Sequence, residues 1–179
     1  MKGIVFTEFL EMVEDKFGMM VVDKIINESE LPSGGAYTAV GTYDHAEMVQ
    51  LVTHLSKELE TPIDQLLLVY GEHFFHVLTA SYPTFFENIP NAFTFLSGIE
   101  NHIHVEVLKL YPDAELPRFD IERLGENKLQ MIYHSERKLA DFANGLLNSA
   151  AKHFGEDIAI HREDISGDGS VVKFTLTKN

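Results

Sequence analysis

Leu110-Tyr111-Pro112-Asp113-Ala114-Glu115-Leu116-Pro117-Arg118-Phe119-Asp120-Ile121 is the stretch across which the hydrophobic period of this chain changes. Before it, apolar residues recur at three- and four-residue steps, the spacing of a buried helix face. After it they come in short runs rich in β-branched and aromatic residues, partly alternating. Working back toward the N-terminus, Val5, Phe6, Phe9, Val13 and Phe17 predict one helix that stops at Gly18, and Val21, Ile25 and Ile26 a second, shorter one. Residues 32–41 hold a concentration of glycine and proline and predict a loop. Asp44-His45-Ala46-Glu47 reads as a capping box opening a helix through Met48, Leu51, Val52 and Leu55. Thr61-Pro62 reads as a cap followed by proline at the first helical position, and its helix should run past Gly71 toward Tyr82-Pro83. A last long helix, Asn91 to Tyr111, carries His102 and His104.

Working forward, strands are predicted over Arg118–Leu124, Lys128–Ser135, Asp157–Glu163 and Val171–Thr177. Turns fall at Gly125-Glu126-Asn127 and Ser166-Gly167-Asp168-Gly169-Ser170. Leu139 to Phe154 reads as a helix between the two hairpins. The expected class is α+β: an N-terminal helical part, then an antiparallel four-stranded sheet with an inserted helix. No repeat or linker interrupts residues 1–179, which predicts a single domain.

Of 179 residues 45% are hydrophobic, enough for a sizeable core. Lys and Arg number 14 against 28 Asp and Glu, a net charge of -14, which argues against nucleic acid or an anionic membrane as partner and favours a protein with a basic face. Without cysteine there is no disulfide, zinc-thiolate site or thiol nucleophile. Glu8, Glu11, Glu14 and Asp15 interrupt the N-terminal apolar residues too early for a signal peptide or membrane span, and the expected location is cytoplasmic. No nucleophile elbow, P-loop or Rossmann glycine pattern is present, so no catalysis is expected.

The residues with chemical potential are few. Imidazole is the commonest side-chain metal ligand, and His102 and His104 both qualify; two residues apart, they point to helix faces about 200° apart, so one helix does not aim both at one metal. Periodicity does not choose between them. Tyr133, Ser135 and Arg137, at i, i+2 and i+4, fall on one side of an extended segment, where two hydroxyls and a guanidinium form a clamp for carboxylates. Each has a second reading: Ser135 as cap of the next helix, Tyr133 as a core residue, Arg137 as partner of a nearby acid. Pro117 is equally at home in a helix-to-strand connection. His73 and His76, three apart on one helix, lack a third ligand at matching spacing, which leaves a metallohydrolase the weaker rival.

Taken together, His104, twelve intervening residues, Pro117-Arg118, and then Tyr133-x-Ser135-x-Arg137 resemble the signature of the haem-nitric oxide/oxygen binding (H-NOX) family. Met1-Lys2-Gly3, Gly71, Gly145 and Leu146 extend the resemblance along the chain. It implies haem b, with His104 as proximal iron ligand, Pro117 pressing on the porphyrin, and Tyr133, Ser135 and Arg137 holding the propionates. It also implies a distal pocket of Val5, Phe9, Phe74, Leu78, Phe142 and Leu146. In oxygen-binding members a tyrosine stands at the position of Phe142; its absence forfeits a hydrogen bond of order 1–3 kcal/mol to bound dioxygen. The resemblance therefore implies a sensor of nitric oxide, also binding carbon monoxide, in which ligand binding weakens the iron–His104 bond. The signal would pass to a separate histidine kinase or diguanylate cyclase. The alternatives are a dioxygen sensor or carrier of the same fold and a haem-free acidic interaction module.

Overall fold

A computed structural model describes residues 1–179. The helical part comprises α1 (Gly3–Phe17), α2 (Met19–Glu28), α3 (His45–Leu59) and α4 (Ile63–Ser81). Gly18, at φ 89°, turns the chain between α1 and α2, as the sequence anticipates. Asp44 caps α3 by accepting the Ala46 amide at 2.9 Å. The second half of the expected capping box does not form: Glu47 turns into the core, 3% exposed, and accepts the hydroxyls of Ser33 and Tyr37. Those two bonds pin the 29–44 loop to α3, a use of a buried carboxylate that outweighs capping. At α4, Pro62 precedes the first helical residue, and the Thr61 hydroxyl bonds the Leu59 carbonyl instead of capping.

The expected single helix from Asn91 to Tyr111 is three pieces. After a 3₁₀ turn at Pro83–Phe85 come α5 (Ala92–Ser97), a π-helical turn at Ile99–Ile103, and α6 (His104–Leu110). In the π turn the Ile103 amide reaches back to the Gly98 carbonyl at 3.3 Å, and the His104 amide to Ile99. One residue is thereby inserted into the helical winding immediately before His104. Such bulges cluster at functional positions because they re-aim the side chains that follow.

Beyond Pro117, β1 (Arg118–Arg123), β2 (Lys128–His134), α7 (Ala140–His153), β3 (Ile158–Asp164) and β4 (Val171–Lys178) build one antiparallel sheet in the order β1-β2-β4-β3. Leu129, Met131 and Tyr133 alternate inward on β2, opposite Leu176, Phe174 and Val172 of β4. The period of two expected of these segments is thus realised as a buried face. α7 lies between sheet and helices, crossing α4 where glycine meets glycine. A Cβ on Gly71 would stand 2.1 Å from the Phe142 carbonyl oxygen, and one on Gly145 2.1 Å from that of Leu68, so only glycine at both positions permits this backbone-to-backbone approach.

Two buried hydrophobic clusters result. One joins α1–α4 around Phe6, Phe9, Met48, Leu51 and Tyr70; the other joins the sheet, α5 and α7 around Phe93, Leu129, Phe174 and Leu147. No helix is long and apolar enough to cross a membrane.

Candidate functional site

Between the two clusters lies a cavity of about 250 Å³, lined by 30 residues of which 24 are hydrophobic. From the helical side it receives Val5 of α1, Phe74 and Leu78 of α4, and Phe142 and Leu146 of α7. These five were expected together on the distal side. Phe9, expected with them, does not line the cavity: fully buried one layer behind, its ring packs edge-to-face on Tyr70, centroids 5.2 Å apart. An α-helix explains the displacement, since Phe9 lies four residues beyond Val5 on α1 and one turn deeper into the helical cluster. The Tyr70 hydroxyl is spent on the Val5 carbonyl at 2.5 Å.

From the other side come His104, Pro117, Tyr133, Ser135 and Arg137. His104 is the only histidine in the lining; His102 is exposed on the π turn. The tertiary structure thus separates two histidines that periodicity leaves equivalent. The Nδ1 of His104 stands 3.3 Å from Glu100 Oε1. Burial lowers the His104 pKa, opposed by the Glu100 carboxylate, so the ring favours the neutral form that can ligate a metal.

Tyr133 ends the buried row of β2, but the strand stops at His134, so Ser135 and Arg137 lie in the following turn and not on the extended segment expected. They converge through that turn. The Tyr133 hydroxyl accepts the Leu139 amide at 3.0 Å and keeps its own proton to donate; burial raises its pKa. Ser135 Oγ accepts the Arg137 amide at 3.2 Å, a contact inside the turn; it does not cap α7, whose N-cap position is Leu139 with no side-chain hydrogen bond. The Arg137 guanidinium donates to the carbonyl and carboxylate of Glu115, at 2.7 and 2.6 Å. Glu115 is 85% exposed, so the carboxylate on Arg137 is one held at the surface.

Several lining residues escaped the sequence reading. Tyr82, just after α4, and Tyr111, just after α6, meet hydroxyl to hydroxyl at 3.1 Å; burial and this bond push the Tyr82 pKa up to about 12. Both stand where a helix ends, a position that periodicity does not assign to a face. Glu100 was readable in principle as the residue four before His104, on the same helical face. His73 and His76 do not reach the cavity, and no group of three or more His, Asp or Glu side chains is placed to hold a metal ion.

A long apolar cavity with one imidazole on its wall and a hydroxyl–hydroxyl–guanidinium set at one place suits an apolar macrocycle that carries a metal and carboxylates. A family model described as haem-NO-binding matches residues 2–162. The chain belongs to the H-NOX family. Its members are haem-based gas sensors, and their domains sense and do not catalyse. The fold is shared with the Fe(II) unliganded H-NOX protein from K. algicida at a TM-score of 0.96 and 52% identity, covering 100% of this chain and 97% of that one. The H-NOX from Shewanella woodyi, solved in the Fe(II)CO ligation state with IWP-051 bound, is 42% identical at a TM-score of 0.85, covering 100% and 95%. An H-NOX protein from S. oneidensis in the Fe(II)NO ligation state is 27% identical at 0.92, covering 100% and 99%. The α+β architecture read from the sequence is therefore the H-NOX fold.

Proposed function

We propose that residues 1–179 act as one haem-binding unit that senses nitric oxide at ferrous haem b and reports to a separate signalling enzyme. The observation that carries this reading is the asymmetry of the cavity. His104 is its single imidazole, and the facing residues Val5, Phe74, Leu78, Phe142 and Leu146 have no hydrogen-bonding side chain. When bound, haem supplies the ferrous iron at which a gas can ligate. Every other part of the function belongs to the chain. His104 would hold the iron, Pro117, half-buried in the cavity wall, would bear on the macrocycle, and Phe9 would support the distal layer from behind.

Tyr133 and Ser135 would hold the propionates through their hydroxyls, and Arg137, which now holds the Glu115 carboxylate, would take a propionate in its place. Phe142 leaves a bound gas without a donor, which favours nitric oxide and carbon monoxide over dioxygen. His104 stands at the start of α6 and against the sheet, so its release from iron would free both to move relative to the helical part. A histidine kinase or diguanylate cyclase in the cytoplasm, reading that movement, completes the sensor; neither nucleic acid nor membrane enters the reading.

The test is the absorption spectrum of the purified chain, reduced and then exposed separately to nitric oxide, carbon monoxide and air. A Soret band that shifts with both gases, with oxidation in air, is the expected result. No Soret band after expression with haem supplied would leave an acidic interaction module. A stable complex in air would overturn the preference for nitric oxide and direct attention to the Tyr82 and Tyr111 hydroxyls.

A further inference from the structure

Glu100 holds two partners on one atom. Its Oε1 lies 3.3 Å from Nδ1 of His104 and accepts the backbone amide of Phe119 at 2.7 Å. Phe119 belongs to β1, an edge strand whose other side pairs with β2, and its N–H points outward from the sheet. Without Glu100 that amide, in a residue only 8% exposed, would lack a partner. Phe119 also lies directly opposite Tyr133 in the β1–β2 register, the two rings edge to face at 5.6 Å. The His104 ring stands 6.2 Å from that of Phe119. A continuous line therefore runs from the imidazole, through one carboxylate oxygen and one aromatic pair, to the tyrosine of the carboxylate clamp.

We propose that Glu100 is a positioning residue for His104, orienting the imidazole through Nδ1 and tying it to edge strand β1, so that movement of the ring is felt by the sheet. The inference rests on His104 being the iron ligand. An ionised carboxylate only accepts, so the facing Nδ1 carries the proton and Nε2 presents its lone pair. A carboxylate on the far nitrogen makes the near one a better donor to metal, the usual contribution of such outer partners. One carboxylate oxygen carries two acceptor sites, so Oε1 serves both groups at once, and a ring that moves away leaves it to Phe119 alone. The π turn carries Glu100 itself and ends at Ile103, one residue before His104, so this stretch of non-α winding frames the pair.

The experiment uses the haem-loaded full chain as wild type, Glu100→Gln, Glu100→Ala and His104→Ala. Three readouts are compared: the iron–histidine stretching band of the ferrous form by resonance Raman, solvent exchange of the His104 Nδ1 proton in the carbon monoxide complex by NMR, and exchange of the Phe119 amide. The glutamine keeps an oxygen for Phe119 but removes the charge. It should retain Phe119 protection while shifting the stretching band to lower frequency and speeding Nδ1 proton exchange at least tenfold. Glu100→Ala should do both and also lose Phe119 protection. If the band and Nδ1 exchange stay at wild-type values in Glu100→Gln while His104→Ala abolishes the band, Glu100 is only a staple of the sheet edge and the proposal fails. If His104→Ala keeps the band, the assignment of the iron ligand fails instead. Should the Glu100 variants not fold, the wild type still decides: rapid exchange of its Nδ1 proton with bulk water overturns the proposal.

Discussion

The cavity wall built from α1, α4 and α7 is made of carbon, whereas the wall running from α6 through β2 into the next turn collects an imidazole, two hydroxyls and a guanidinium. The two are stabilised differently. Val5, Phe74, Leu78, Phe142 and Leu146 need only shape, and they acquire it from a backbone contact: Gly71 against Gly145 sets the spacing of α4 and α7, and with it the distance between Phe74 and Phe142, whose rings lie 5.6 Å apart. On the polar wall each group brings a partner to offset its burial: Glu100 for His104, the Leu139 amide for Tyr133, Glu115 for Arg137. An apolar wall is fixed by helix geometry; a polar one is fixed atom by atom. Substitutions should therefore be graded on one side and abrupt on the other.

The most abrupt change is expected at His104. His104→Ala should abolish the proximal ligation spectrum, with added imidazole filling the vacated space and partly restoring it, while His102→Ala, on the exposed face of the π turn, leaves the spectrum intact. The reverse outcome would place the ligand on the wrong side of the turn and undo the contrast between the walls. Next is Arg137→Ala, which removes the charged member of the clamp. Hydrogen bonds to a charged group contribute about 1.5–3 kcal/mol, so haem should transfer to a scavenger protein roughly tenfold to a hundredfold faster. An unchanged rate would mean that Arg137 serves only Glu115.

Phe142→Tyr sharpens the comparison from the other side by writing one polar group onto the carbon wall. A hydrogen bond of about 1–1.5 kcal/mol formed in the dioxygen complex would slow loss of that ligand by roughly tenfold, visible as a longer-lived spectrum in air. The gain shrinks if the hydroxyl lacks a partner when no gas is bound. The smallest effect is on pH. His45, His73 and His104 all have pKa values lowered by burial, from an ordinary value of about 6.5. Below that value the unfolded chain binds protons that the folded one resists, so stability is full above about pH 6.5 and falls as the pH drops through the window toward the lowered folded values. The urea midpoint should decline between about pH 7.5 and about pH 5.5, and His73→Gln, outside the cavity, should flatten the decline slightly; a midpoint that rises on acidification would refute the assignment.

Sequence periodicity located α1–α4, α7 and the four strands to within a few residues, because burying one face imposes a period of 3.6 or 2 wherever the face is continuous. It also recorded the glycines and the spacing from His104 to Arg137, since those depend on residue identity and chain order alone. What it did not contain is what becomes of a group once other elements surround it. Glu47 belongs to a cap by local rule, yet tertiary burial gave it two hydroxyls to hold. The π turn at Ile99–Ile103 breaks a pattern that reads as one helix, because an inserted residue changes winding without changing composition. Phe9 and Val5 share a helix face, but only the packing of α4 decides that Phe9 meets Tyr70 while Val5 meets the cavity. His102 and His104 are chemically the same residue. Only the fold exposes one and sets the other beside Glu100 and an apolar cavity, because solvent exclusion and partner geometry are properties of atoms far apart in the chain.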